Sequence, residues 1–299
     1  MTDRPIDGPL KWPGGKAYLA KEIVKLMPPR CQTPTKPDPK DDGWLQYVEP
    51  YFGGGSVLLA NNPDGISEVV CDTNKMLTNF WCCLKDDTLF HMMQRQLEAT
   101  PFSEREFDVA YRHITQASHF NFSGYDERVT AAVNFFVCCR QSLAGRMQGF
   151  TGITQTRVRR GMNNEVSAWL SSIEGLPQVH SRLKRVLIVN RDALKILQKH
   201  DGSQTLFYLD PPYLHETRVT RKEYGQHEMS NANHLSLLYV LGTLKGRFLL
   251  SGYRSAMYDK AATQYGWRRV DISIANHAAG GKSKKRMVEC VWMNYEAAQ

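Results

Sequence analysis

Thr205-Leu206-Phe207-Tyr208-Leu209-Asp210-Pro211-Pro212-Tyr213 decides the reading of this chain. The first five residues are an apolar, aromatic-rich run of strand length, expected to be buried. The run ends on an acid and two prolines. The prolines fix φ and remove two backbone donors. The corner is therefore rigid and rich in acceptors: the Asp210 carboxylate and the proline carbonyls, with the Tyr213 ring beside them. Such a surface fits an exocyclic amine on a flat ring, a purine or cytosine base taken out of its stack. An Asp followed by a Pro-Pro turn is also ordinary turn chemistry, so the tetrapeptide alone leaves both readings open.

Working outward, short apolar runs at 45–49, 67–71, 185–189, 205–209, 246–251, 267–273 and 288–295 read as strands. Helical periodicity at 17–27, 56–61, 74–85, 192–199, 230–243 and 255–264 separates most of them. Alternation of this kind predicts an α/β sheet with parallel strands. No helical pattern separates the last two runs, so the final strand is expected to be antiparallel. Between about 86 and 184 the alternation stops. That stretch reads as helical at 103–117 and 126–146, with a polar, hairpin-like segment at 147–163. An insert of this length between strands is expected to be a recognition subdomain rather than a loop. Residues 28–43 hold five prolines and many charges and read as an exposed loop.

Bulk properties narrow the class. The chain has 299 residues, 42% of them hydrophobic, enough for one large domain or a core with an insert. A formal net charge of +8 favours a polyanionic partner, most simply nucleic acid. Seven cysteines, with no Cys-x-x-Cys and two adjacent pairs, argue against a disulfide framework and a zinc ribbon. Most lie in apolar runs and read as inert core thiols. The first five residues show no signal core, and no stretch reaches the roughly 20 apolar residues of a membrane span. The expectation is a soluble protein of a reducing cytoplasm.

Three further segments bear chemistry. Glu49-Pro50-Tyr51-Phe52-Gly53-Gly54-Gly55-Ser56 joins a strand to a helical pattern. Its glycines let backbone N–H groups approach a ligand at a helix start. Val69-Val70-Cys71-Asp72-Thr73-Asn74 puts an acid at the end of the second strand, about 20 residues after the glycine turn, where it can accept from ribose hydroxyls. Asp72 or Asn74 could also simply cap the next helix, and the two uses are compatible, with Asp72 on the ribose and Asn74 as the cap. Lys11-Trp12-Pro13-Gly14-Gly15-Lys16 sets two lysines around a tight turn, fit for a carboxylate or phosphate. No Gly-x-Gly-x-x-Gly is present, which disfavours a dinucleotide dehydrogenase. Asn276 stands where a phosphate-binding loop ending in Gly281-Lys282-Ser283 would need its first glycine.

These four segments, in this order, resemble the Dam-like family of DNA adenine methyltransferases, the α-ordered N6-adenine enzymes. The resemblance covers about 1–85 and 184–295 and extends to Gly280-Gly281-Lys282 and Arg286-Met287-Val288-Glu289 before the last strand. Tyr51, where the family often has Phe, and Gly54, which makes a triple glycine, are the departures. The middle matches poorly, so no target sequence carries over. The resemblance implies a Rossmann-like methyltransferase, with a mainly parallel seven-stranded sheet and an inserted helical recognition domain. It implies an S-adenosylmethionine-binding catalytic domain at 1–85 and 184–299, with DNA target recognition at 86–183.

It also implies roles. Asp72 would accept from the ribose hydroxyls. Lys16 and the Gly53–Gly55 turn would hold the methionyl end near Trp12, with Glu49 and Tyr51 in the same segment. Asp192 resembles the position beside the cofactor adenine, with a helix cap as its equal alternative. Asp210 and the Pro211 carbonyl, shaped by Pro212, would accept from the target amine, and Tyr213 would stack on the flipped base. The implied reaction is methyl transfer from S-adenosylmethionine to N6 of adenine in double-stranded DNA. N4-cytosine methylation and a non-catalytic DNA-binding protein of the same fold are the alternatives. A C5-cytosine enzyme would want a Pro-Cys nucleophile, which is absent. The implied source is bacterial or phage, and the residues leave open a restriction endonuclease partner. For DNA contact the candidates are Arg140, Arg146, Arg157, Arg159 and Arg160 in the insert and Lys282 in the late loop, with Gln and Asn residues among the arginines.

Overall fold

Apolar runs become strands and periodic runs become helices in the order α1 (Ala20–Lys25), β1 (Gln46–Glu49), α2 (Ser56–Ala60), β2 (Ser67–Cys71), α3 (Lys75–Lys85), α4 (Asp87–Ala99), α5 (Glu104–Gln116) and α6 (Tyr125–Gln141). There follow β3 (Val158–Arg159), β4 (Met162–Asn163), α7 (Asn164–Glu174), α8 (Leu176–Leu183), β5 (Val186–Val189), α9 (Ala193–His200) and β6 (Thr205–Leu209). The chain ends with α10 (Asn231–Thr243), β7 (Arg247–Gly252), α11 (Ala256–Tyr265), β8 (Arg268–Ile274) and β9 (Met287–Met293). This computed structural model describes residues 6–32, 43–116, 122–151, 156–217, 228–274 and 287–296.

Seven strands form one sheet in the order β5-β2-β1-β6-β7-β9-β8. Strand β1 pairs in parallel with both β2 and β6, with Val48 opposite Val69 on one side and Phe207 on the other. Strand β6 pairs in parallel with β7. The last strand, β9, runs antiparallel between β7 and β8, as the sequence predicts. Every residue of β6 is buried, as a central parallel strand covered on both faces requires. No described helix is long and apolar enough to cross a membrane.

The described chain divides into two compact units. One holds Met1–Val24, Gly53–Asn62 and Asn74–Asn190, the other Lys25–Phe52, Pro63–Thr73 and Arg191–Gln299. This division runs elsewhere than at 85/86 and 183/184. The reason lies in α3, which packs on α6 through aromatic side chains. Phe80 stacks on Phe136 with centroids 5.7 Å apart, and lies 6.0 Å from Phe135. Trp169 of α7 meets Phe136 from another side at 5.6 Å and donates its indole N–H to the Thr100 carbonyl. A helix expected to serve the sheet is thus built into the core of the insert.

The insert is more helical than its sequence suggests: α4, α7 and α8 join the two expected helices. Helix α6 ends at Gln141 rather than running to 146. Beyond it, Ala144, Gly145 and Met147 take positive φ (53°, 71° and 55°). A Cβ on Gly145 would lie 1.7 Å from the Lys11 carbonyl oxygen. The helix stops where the main chain of Lys11 must fit. All seven cysteines are free. Burial pushes Cys83, Cys138 and Cys139 up to about 12, so these thiols stay protonated and inert, as expected.

Phe136 is fully buried among Phe80 and Trp169. Phe136→Ala should lower stability by about 3–5 kcal/mol, read as a fall in the urea midpoint with an unchanged slope.

Candidate active site

In the second unit, chain direction gathers acids at one edge of the sheet. Parallel strands β1, β2 and β6 bring Glu49, Asp72 and Asp210 to their carboxyl ends, where open α/β sheets bind ligands. Strand β9 runs the other way, so its first residues, Glu289 among them, lie at that same edge. Glu49 and Glu289 are buried, at 2% and 1% exposure. Each has a tyrosine hydroxyl donating to it: Tyr47 to Glu49 at 3.0 Å, and Tyr213 to Glu289. Tyr208 shares a 3.0 Å hydrogen bond with Ser251.

The corner after β6 is built as its sequence predicts. Pro211 and Tyr213 are buried, while Asp210 and Pro212 are partly open to solvent. The Tyr213 ring makes an edge-to-face contact with Tyr253, centroids 4.8 Å apart and planes at 76°. Burial, then the charges of Asp210 and Glu289, raise the Tyr213 hydroxyl well above the ordinary phenol range. The hydroxyl therefore stays protonated and remains a donor. Tyr208 is raised by burial and by Asp210, with smaller contributions from Glu49 and Glu289. Asp210 thus acts electrostatically on both tyrosines.

A second cluster lies beyond β1 and β2. The Phe52 N–H donates to the Cys71 carbonyl at 2.9 Å, holding the exits of the two strands together. Burial, then the carboxylates of Asp192 and Asp72, raise the Tyr51 hydroxyl. Tyr51, Asp72 and Asp192 therefore share one environment. The choice of helix cap is resolved. Asn74 caps α3, accepting from Leu77 N at 3.1 Å, which leaves Asp72 outside that role. Asp192 caps α9, accepting from Leu194 N and Lys195 N at 3.0 and 3.2 Å. Its carboxylate is exposed.

In the first unit, Trp12 and the glycine turn are built against each other. A Cβ on Gly53 would lie 2.7 Å from the Trp12 indole nitrogen, and one on Gly54 2.8 Å from the Trp12 Cβ. Gly53 and Gly55 also take positive φ, 49° and 69°. The triple glycine is thus required by space at Gly53 and Gly54 and by backbone conformation at Gly53 and Gly55. Trp12 also meets Phe135 of α6 at 6.3 Å. Trp81 donates its indole N–H to the Gly53 carbonyl at 3.0 Å. Sequence reasoning passed over Trp81, because it reads as one more apolar residue of α3. Lys16 is buried, and its ammonium donates to the Gly14 carbonyl at 2.8 Å. Helix α2 has only five residues, so its N-terminal dipole is weaker than a full helix would give.

The arginines of the insert divide. Arg140 is half-buried. Its guanidinium donates to the Ala168 carbonyl of α7 at 3.0 Å, and burial lowers its pKa, so it braces helix packing. Arg160 is exposed but forms a two-pronged pair with Glu174, at 3.0 and 3.1 Å. Arg160 and Gly161, with φ of 55° and 74°, make the turn between β3 and β4. Arg146, Arg157 and Arg159 are exposed. Lys282 and the rest of the Gly280–Lys285 loop lie outside the described residues, as does Gln155.

Two comparisons with known proteins place the chain in a family. A relative, the Type II methyltransferase M.MjaIII of Methanocaldococcus jannaschii, is 21% identical, over 96% of this chain and 98% of its own length. The sequence model of the D12 class of N6 adenine-specific DNA methyltransferases matches residues 12–272. Asp210, Tyr213, Asp72 and the Trp12–Lys16 segment all lie within that match, and the chain belongs to the D12 class of N6 adenine-specific DNA methyltransferases.

Proposed function

We propose that the corner after β6 binds the amino group of an adenine flipped out of double-stranded DNA, and that the remaining motif residues hold S-adenosylmethionine. The observation that supports this is the corner itself. A partly open carboxylate, Asp210, stands three residues before an anchored aromatic ring, Tyr213, at the carboxyl end of a central parallel strand. In this reading Asp210 and the Pro211 carbonyl accept from the two N6 protons. Both acceptors draw lone-pair density onto the nitrogen as it attacks, so they stabilise the transition state more than the ground state. Tyr213 supplies a face for the base. No enzyme residue forms a covalent bond to the substrate.

The residues fit the methyl donor chemically. When bound, S-adenosylmethionine supplies a methyl group on a sulfonium sulfur, and its amino-acid end carries an ammonium. The acidic surroundings reported by Tyr51 and Tyr208 suit such a cation. We assign the ribose hydroxyls to Asp72, at the carboxyl end of β2. We assign the adenine to Tyr51 and Asp192, the latter acting through a carboxylate it also uses as a cap. To the methionyl end we assign Lys16, Trp12, Gly53, Gly55 and Glu49. Seven free cysteines and the DNA substrate fit a bacterial or phage-encoded enzyme of a reducing compartment.

Target recognition is assigned to the hairpin region 147–163, with Arg157 and Arg159 on β3 or its approach and Arg146 nearby in sequence. Arginine reads guanine edges or holds phosphate, and the two uses differ in what a substitution does. Arg160, tied to Glu174, is assigned to holding the hairpin on α7 rather than to a base.

Asp210→Ala should reduce methyl transfer about 10²–10³-fold, with cofactor affinity within a few fold. Labelled-methyl incorporation and calorimetry measure the two, and near-normal turnover would remove Asp210 from its role. Asp72→Ala should weaken S-adenosylmethionine by about 1.5–3 kcal/mol for each bond lost. DNA affinity should hardly move, and calorimetry that finds the cofactor affinity unchanged would overturn the ribose assignment. Exchanging residues 147–163 should change or abolish the methylated sequence, read by sequencing methylated adenines, while preserving cofactor binding. Within that segment a phosphate-holding arginine, replaced singly, should flatten the salt dependence by about one unit of slope. A base-reading arginine should relax one position by about 1–3 kcal/mol.

A further inference from the structure

We propose that Glu289 is a positioning residue for methyl transfer: its buried carboxylate anchors the Tyr213 hydroxyl and so fixes the aromatic face on which the target base rests. The inference rests on the reading of Tyr213 as that face.

Three observations converge on it. The first is where Glu289 sits. Cys290 pairs with Gly252, the last residue of β7, and Glu289 pairs with Ile272 of β8. Glu289 is therefore one residue past the paired end of β7, level with the chain that continues into Tyr253. Because β9 alone runs backwards beside β7, a residue near its start reaches the edge where the parallel strands end. A parallel strand at this place would put its own start at the opposite edge.

The second is burial. Glu289 is 1% exposed and Tyr213 7% exposed. A carboxylate withdrawn from water is costly unless it is hydrogen-bonded. A neutral side chain would complete β9 at lower cost. The carboxylate is matched by what it holds, a phenol hydroxyl that burial and the neighbouring acids keep protonated and donating.

The third is the geometry of the ring. The hydroxyl is fixed by Glu289 at one end, and the ring meets Tyr253 edge to face at 4.8 Å. The backbone end is set by the two prolines before it. A ring held at its backbone, its tip and one contact keeps a single plane. Without the tip anchor, the ring loses the restraint on its polar end. Stacking a base in register with Asp210 needs the plane fixed, since misplacement by about 1 Å can cost roughly a hundredfold in rate.

The test compares the full-length wild type with Glu289→Ala, Glu289→Gln, Tyr213→Phe, Tyr213→Ala and the double variant Tyr213→Phe/Glu289→Ala. Steady-state methyl transfer to unmethylated duplex DNA is measured below the melting temperature of each. Glu289→Ala should lower kcat roughly ten- to a hundredfold, with KM for S-adenosylmethionine within about twofold. A residue that only stabilised the sheet would change the melting temperature without this split. Glu289→Gln, whose amide oxygen still accepts from the phenol, should recover most of the loss. The double variant should lose no more than its worse single, because both remove the same anchor. A wild-type kcat for Glu289→Ala, or losses that multiply in the double variant, would overturn the proposal. Should Glu289→Ala not fold, Tyr213→Phe decides, since it removes the donor and keeps the ring: an undiminished kcat would overturn the anchor. Tyr213→Ala separates the two levels. If it keeps full activity, the reading of Tyr213 fails. If it loses activity while Glu289→Ala does not, only the inference about Glu289 fails.

Discussion

Carboxylates must be hydrogen-bonded and correctly aimed at the edge of an otherwise apolar sheet. This is the constraint on which the rest of the second unit depends. Strands β1, β6, β7 and β9 bury nearly every side chain, and a bare carboxylate there would be unstable. The chain meets the constraint with tyrosines. Tyr47 donates to Glu49 and Tyr213 to Glu289, while Tyr208, under the charge of Asp210, is held by Ser251. Each phenol gives an apolar body to the core and a polar tip to the edge. The result is an acidic, partly dry edge. The single antiparallel strand follows from the same need, because it lets a residue from the far end of the chain reach that edge.

In the first unit the governing contact is Trp12 on the glycine turn. The space left above Gly53 and Gly54 is smaller than a methyl group, so the turn and the indole fit only without side chains there. Trp81 and Phe135 hold this pair from α3 and α6. Segments separated in sequence by some of the most polar stretches of the chain therefore fold as one packed object. That explains why the compact units cut across the expected domain boundaries, with α3 grouped with the insert.

Much of the fold was legible because the strands are short apolar runs with sharp ends. The seven expected strands match the observed ones to within two residues at each end. The corner at Asp210 and the glycine turn were legible for a related reason: proline and glycine leave few conformations to choose from. What was not legible depends on contacts between distant residues. Helix α6 reads as continuing past Gln141, because nothing local reveals that the turn after it must pass close to the Lys11 carbonyl. Arg140 looks like its exposed neighbours in sequence but turns onto Ala168. Helices α4, α7 and α8 were passed over because polar and apolar residues mix along them, and their apolar faces emerge only once Phe136, Trp169 and Phe90 have partners. The cap of α3 falls on Asn74, one of the two residues the sequence offers for it.

The insert is also less independent than its position between strands suggests. Its hairpin runs straight into α7: Asn163 closes β4 and caps the helix through Glu165 N, and Glu165 then pairs with Lys11 at 3.0 Å. On the other side of Lys11, Cys139 donates its thiol to the carbonyl at 2.9 Å, and Gly145 leaves room for that carbonyl. The Lys11–Lys16 segment is thus gripped by α6, by the turn after it and by the start of α7. Removing the whole insert would strip these supports from Lys11 and the Phe135 contact from Trp12. Of the hairpin's residues, Asn163 takes part in this arrangement through the cap of α7. The helices of the insert are constrained by the segment they hold.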